Sequence, residues 1–248
     1  FKSRLSGPKQ AVREAWDIGP AIDDAALWHT YLLKAPIEAI RAHTTQEPRV
    51  SLTMINTAQE GIIAGDPTGC QRVIEALGCH ALPVPYDAVI HSDVMRSEHP
   101  AFVALYTNPI QQRPNIAFYS TAGYEPLKLN SGILAHALAD MTCALVDFPR
   151  LVQRAYEDGA RIFVELGPQH TCTRWIDKIL ANKAYVAMAI NKKGTPDIVT
   201  LIGVLAKLLS HGVEMDISRL YAPESTAAPS SRGNYPPDPL REPALSLS

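Results

Sequence analysis

Apolar and polar positions along the chain fall into two regimes. Residues 9 to 17 (KQAVREAWD) carry a helical period, which Gly19-Pro20 stops. A run of short elements follows. Leu27 to Leu33 (LWHTYLL) predicts a strand, and Ile37 to His43 (IEAIRAH) a short helix. Val50 to Asn56 (VSLTMIN) and Gly61 to Ala64 (GIIA) predict two more strands. Gly65-Asp66-Pro67 then opens a helix over Thr68 to Leu77, with Asp66 as N-cap and Pro67 at the first helical position. His80 to Pro85 predicts a last strand. The order β-α-β-β-α-β across 27–86 is the ferredoxin-like pattern.

Beyond residue 90 the helices lengthen and the strands read as buried. Helices are expected over Pro100 to Tyr106, Ile133 to Met141, Pro149 to Glu157 (closed by Asp158-Gly159), Cys172 to Ala181 and Asp197 to Ser210. Ile116 to Ser120 (IAFYS) and Tyr185 to Ile190 suit strands, and Arg161 to Leu166 (RIFVEL) suits a central one. This alternation predicts an α/β layer with a parallel sheet. The expected organisation is a large subdomain (1–26 and 87–222), the inserted subdomain (27–86) and a Pro/Ser-rich linker (223–248).

Composition narrows the function. The 248 residues suit one domain, or one domain with an insertion, and their net charge is −2. With no dense Lys/Arg stripe, nucleic acid is a poor partner. No apolar run approaches the roughly 20 residues that span a bilayer, and no signal peptide opens the chain. Cys70, Cys79, Cys143 and Cys172 lack CxxC pairing and read as reduced thiols of a cytoplasmic protein. A start at Phe1 with sequence of mid-domain character suggests a piece of a longer polypeptide.

Three groups of residues could carry chemistry. His91 follows an apolar strand end, where catalytic groups of open sheets tend to lie, and its imidazole could take a proton from a hydroxyl near neutral pH. A lone histidine in such a place is also commonly a surface or capping residue. Glu165-Leu166-Gly167-Pro168-Gln169 leaves a buried strand, and one of its carbonyls could hold a histidine's Nδ1–H; a plain tight turn is the alternative. The pairs His170/Cys172 and Cys79/His80 match no standard metal-ligand spacing and read as packing residues. Gly65-Asp66-Pro67-Thr68-Gly69 lacks the Lys-Ser/Thr of a phosphate loop.

Taken together, these segments resemble the malonyl-CoA:acyl-carrier-protein transacylase family from about Arg4 to Tyr221. Ile55-Asn56-Thr57 with Gly61-Ile62-Ile63-Ala64-Gly65, then His91-Ser92-Asp93-Val94-Met95, then Val146-Asp147-Phe148 with Phe163-Val164-Glu165-Leu166-Gly167-Pro168, then His211-Gly212 through Leu220-Tyr221 stand in the family's order. The phrases Phe1 to Pro8 and Asp158 to Pro168 are most similar to the acyltransferase regions of polyunsaturated-fatty-acid and heterocyst-glycolipid synthases. The resemblance implies an α/β-hydrolase-like large subdomain with a ferredoxin-like insertion. It implies transfer of malonyl, or a related acyl group, from a coenzyme A thioester to the phosphopantetheine thiol of an acyl carrier protein, beside domains such as a ketosynthase, without bound cofactor or metal. His91 is then the general base, oriented from Gln169; Arg13, or alternatively Arg4, pairs with the acyl carboxylate; and Asn56 lines the substrate site. Two departures stand out. No Gly-x-Ser-x-Gly occurs, so the nucleophile is expected upstream of Phe1, and Ala88-Val89-Ile90-His91 matches neither acyl-selective signature of the family. A non-catalytic, carrier-docking scaffold and a hydrolase using Cys172 are the rival readings.

Overall fold

Hydrogen bonding arranges the first regime into one antiparallel sheet. The computed structural model describes residues 9–85, 88–111 and 115–220; Arg4 and the 223–248 segment lie outside them. Helix α1 (Gln10–Trp16) ends three residues before Gly19, because Asp17 takes a left-handed conformation (φ 52°) and returns its N–H to the Arg13 carbonyl. Then follow β1 (His29–Lys34), α2 (Ile37–Thr44), β2 (Val50–Thr57), β3 (Glu60–Gly65), α3 (Pro67–Leu77) and β4 (His80–Pro83). Strand order β4-β1-β3-β2 with antiparallel neighbours gives the expected ferredoxin-like sheet.

Each element is set by local chemistry. The Asp66 carboxylate accepts the Gly69 N–H at 2.7 Å, Pro67 occupies the first turn, and Gly78 closes α3 at φ 54°. Alternation on β1 turns Leu33 toward α2 and α3, where it packs with Ile40, Ile63 and Val73, while Leu32 and Lys34 take the other face. A fifth strand, β7 (Val146–Asp147), joins β2 in parallel through Met54↔Val146 and Ile55↔Asp147. At two residues it is too short to leave a period in the sequence.

The second regime supplies α4 (His99–Tyr106), the hairpin β5 (Phe118–Tyr119) and β6 (Pro126–Leu127), α5 (Ser131–Cys143), α6 (Phe148–Glu157), β8 (Ile162–Glu165), α7 (Thr171–Ile179), β9 (Val186–Ala189) and α8 (Asp197–Ser210). Strands β8 and β9 form the expected parallel pair. Two expectations need correction. Ile116 to Ser120 shrinks to the two residues of β5 and, among the described residues, pairs only with β6. The RIFVEL strand is half-exposed rather than central: Val164 is 37% and Leu166 74% accessible. An apolar run signals a strand but not how many neighbours cover it.

A separate core, with Val12, Trp28, Met95, Phe102 and Cys143, joins α1, α4, α5 and the residues leading into β1. The chain divides into two compact units between Val204 and Leu205, inside α8. The second holds the end of α8 and a short turn at Ser218–Leu220; the first holds His91 and the other described candidate residues. Among the described residues no helix is long and apolar enough to cross a membrane, and all four cysteines are free thiols.

Candidate functional site

The last carbonyls of an α-helix have no partner within the helix. At the end of α5, two of them are met by His91: its N–H donates to the Thr142 carbonyl at 2.7 Å, and its Nδ1 lies 2.7 Å from the Met141 carbonyl. A carbonyl can only accept, so Nδ1 carries the ring proton and Nε2 keeps its lone pair. Nε2 has no partner among the described residues. Holding both bonds places His91 in the left-handed region at φ 57°, a conformation that costs a non-glycine residue of order 1 kcal/mol or more and that clusters at functional sites.

The rest of the His-Ser-x-x-Met segment explains itself around that ring. The Ser92 hydroxyl accepts the Val94 N–H, capping the 3₁₀ turn Asp93–Glu98. Met95 is fully buried, and its carbonyl accepts the Cys143 thiol at 3.2 Å, tying the segment to the end of α5. Burial lowers the His91 pKa from its ordinary 6.5, and the Met141 carbonyl opposes that by favouring the protonated ring. The imidazole is therefore mostly neutral at pH 7.

His91 lines a cleft of about 370 Å³ between the start of β2, the end of α2 and the end of α5. Arg41, Arg96, Ser51 and Asp93 share the wall, with the Ser51 and Ser92 hydroxyls 3.3 Å apart. Sequence reasoning singled out neither arginine: nothing in their spacing relates α2 or the 3₁₀ turn to His91.

The other expected site residues do not gather here. The carbonyl that holds Nδ1 belongs to Met141, not to the Gly167–Gln169 bend. Gln169 is exposed, at φ 71°, with its N–H on Asn191 Oδ1 at 2.7 Å. What the Glu165-x-Gly-Pro segment does is start α7: Glu165 accepts the Cys172 and Thr173 N–H groups at 3.1 and 2.7 Å and the Thr173 hydroxyl at 2.7 Å. Burial raises the Glu165 pKa, but these bonds outweigh it and the carboxyl ends below its ordinary value.

Arg13 also has a different task. It donates to the Gly19 and Ile22 carbonyls and pairs with Asp24 at 2.7 Å, while the buried Lys9 ammonium donates to the Asp24 and Trp28 carbonyls. Together they clamp the loop before β1 onto α1, which spends the guanidinium on protein acceptors. Asn56 is fully buried at the far end of β2. Its Nδ2 donates to Glu60 Oε1 at 3.2 Å, that same oxygen accepts the Trp175 indole at 2.8 Å, and its Oδ1 is unpaired. Cys172 is a poor nucleophile, because burial and the neighbouring Glu165 carboxylate both raise its thiol pKa.

Known structures share this architecture. The acyltransferase domain from the second module of the salinomycin polyketide synthase superposes with a TM-score of 0.68 at 20% identity, over 82% of this chain and 48% of that one. The chain has the acyltransferase fold. A malonyl-CoA:acyl carrier protein transacylase from Xanthomonas oryzae pv. oryzae matches with a TM-score of 0.64 at 16% identity, over 80% of this chain and 61% of that one. A malonyl-transacylase solved with a type II polyketide synthase acyl-carrier protein gives 0.63 at 19%, over 80% and 62%.

Relatives by sequence are large synthases, of which the chain spans about a tenth. A polyunsaturated fatty acid synthase polypeptide of Thraustochytrium sp. is 24% identical over 216 residues, 82% of this chain and 10% of that protein. Spectinabilin polyketide synthase system protein NorA of Streptomyces orinoci is 28% identical over 186 residues, 70% of this chain and 9% of that protein. No protein-family model matches the chain. Within the acyltransferase fold, His91 occupies the return from the ferredoxin-like sheet to the helices behind it.

Proposed function

We propose that this chain is the histidine-bearing part of an acyltransferase in a fatty-acid or polyketide synthase, moving malonyl or a related acyl group from coenzyme A to the phosphopantetheine thiol of an acyl carrier protein. The observation that carries the reading is the Nδ1–Met141 bond, which leaves Nε2 as the basic nitrogen of a ring that lines an open cleft. A serine hydroxyl presented to that cleft gives its proton to Nε2 as its oxygen attacks the thioester carbon. The tetrahedral intermediate collapses, and the proton passes from His91 to the departing coenzyme A thiolate. In the second half, Nε2 takes the proton of the phosphopantetheine thiol as its sulfur attacks the acyl-serine, and then returns a proton to the serine. The serine belongs to sequence other than these 248 residues, since they contain no Gly-x-Ser-x-Gly. Free thiols and the kinship with synthases favour a cytoplasmic setting with ketosynthase neighbours.

Replacement of His91 by Ala, in a polypeptide joining this chain to a serine-elbow segment, is expected to cut acyl loading by about 10²–10⁴-fold, the scale of a general base. Loading at the wild-type rate would remove His91 from the mechanism. The rival reading is a carrier-docking scaffold without catalysis. In that case the joined polypeptide binds carrier protein and forms no acyl-enzyme.

A further inference from the structure

A second concavity of about 610 Å³ opens on the sheet face that α2 and α3 leave uncovered, between β1, β4, the β2–β3 turn and α7. Three cations line it. Lys34 ends β1, while Arg174 and Lys178 stand four residues apart on α7 and so share one helix face. Among the described residues none of their side chains has a hydrogen-bond or ion-pair partner. Glu60 is the one acidic side chain in the lining. Its Oε1 is held by Asn56 and Trp175, so three positive charges face one fixed negative charge. Leu32, Leu82 and the Trp175 ring supply apolar surface between the charges.

We propose that this pocket binds an organic phosphate bearing an apolar arm. Cations from two separate elements, one of them a planar guanidinium, suit a dianion with several acceptor oxygens better than a single carboxylate. The leucines and indole suit the arm, and the volume falls within the range of small-molecule sites. The existence of the site rests on its own charges. The choice of ligand rests on the acyltransferase reading, which handles phosphate in two forms: the nucleotide end of coenzyme A and the phosphopantetheine arm of a carrier.

The test is calorimetric titration of the 248-residue chain with 3′,5′-ADP, 4′-phosphopantetheine and inorganic pyrophosphate, with Trp175 fluorescence as a second readout. Binding is expected to weaken with added salt and to lose about tenfold or more in each of Arg174→Ala, Lys178→Ala and Lys34→Ala. Glu60→Gln, which removes the opposing charge but keeps an acceptor oxygen, should tighten it. Preference for 3′,5′-ADP assigns the pocket to coenzyme A, and preference for 4′-phosphopantetheine to the carrier arm. Circular dichroism and melting temperature establish that the three exposed variants fold; should one fail, the other two still decide. No binding of any probe, binding unchanged in the folded cation variants, or binding abolished by His91→Ala would each overturn the proposal. Failure of the acyltransferase reading looks different: acyl loading indifferent to His91, with phosphate binding intact.

Discussion

Glu60 is the acceptor on which two elements depend, so its removal should be felt throughout the first unit. In Glu60→Ala the fully buried Asn56 amide, whose Oδ1 already lacks a partner, also loses the bond from its Nδ2. The half-buried Trp175 indole N–H loses its acceptor as well. Stranding a buried polar group costs about 1–3 kcal/mol. With one donor fully buried and the other partly able to reach water, the sum is about 2–4 kcal/mol. For a chain of this size that is a fall in Tm of roughly 4–16 °C. The assay is thermal and urea denaturation of the 248-residue chain followed by circular dichroism. Glu60→Gln retains a carbonyl oxygen for both donors and should stay within about 1 kcal/mol of the parent. Trp175→Phe keeps the ring packed edge-on against Phe148, 5.6 Å between centroids, but removes the donor and should cost about 1 kcal/mol. In that background Glu60→Ala must cost correspondingly less, a coupling of about 0.5 kcal/mol or more. A Glu60→Ala variant within about 0.5 kcal/mol of the parent, or strict additivity with Trp175→Phe, would refute the shared-acceptor argument.

Further predictions concern backbone geometry and pH. A Cβ at Gly65, where φ is 150°, would lie 2.0 Å from the Arg49 carbonyl oxygen and 2.8 Å from Val50 Cα, both backbone atoms. Gly65→Ala should therefore destabilise by about 3 kcal/mol or more, whereas Gly78→Ala, with φ 54° and nothing within 4 Å, should cost about 1–2 kcal/mol; equal urea midpoints for the two would contradict this. For His91 the folded pKa lies below its ordinary 6.5. Below pH 6.5 the unfolded chain takes up a proton that the folded chain refuses, so this contribution to stability is present above that pH and lost as pH falls toward the folded pKa. NMR titration of the His91 ring is expected to give a midpoint under 6.5, and a midpoint at or above 6.5 would show that the Met141 bond outweighs burial.

The inserted sheet was legible because its signals are local. Asp66-Pro67 and Gly78 bracket α3 by chemistry that acts within a few residues, and alternation on β1 separates Leu33 from Leu32 and Lys34 without reference to the rest of the chain. What escaped depends on distance along the chain. The carbonyl that orients His91 lies 50 residues further on and is set by where α5 ends. The period predicts α5 only to Met141, two residues short of its actual end, and the bend after β8 offered a more visible carbonyl. Arg13 looked available because two of its acceptors, the Gly19 and Ile22 carbonyls, are backbone atoms of a loop that no side-chain pattern announces, and Asp24, which pairs with it, stands eleven residues on.

Asn56 and His91 stood together in the sequence reading, and the geometry of β2 separates them. Ser51 is the β2 residue that meets the His91 segment, through Ser92. Asn56 is five residues further along, about 17 Å at the rise of an extended strand. One strand thus carries two chemical environments at its two ends: a base on a cleft, and a buried amide that fastens the β2–β3 turn to α7 through Glu60. The two are tied by a rigid strand and not by a shared ligand shell, so they should respond independently. Glu60→Ala is expected to lower Tm while leaving the His91 titration midpoint where it was, and His91→Ala, in the polypeptide joined to a serine elbow, to cut acyl loading by about 10²–10⁴-fold while leaving the Asn56–Glu60–Trp175 contacts, and the indole's fluorescence, unchanged. A His91 midpoint that moved with Glu60→Ala would mean that Asn56 belongs to the base's own surroundings after all, and would restore it to the substrate site.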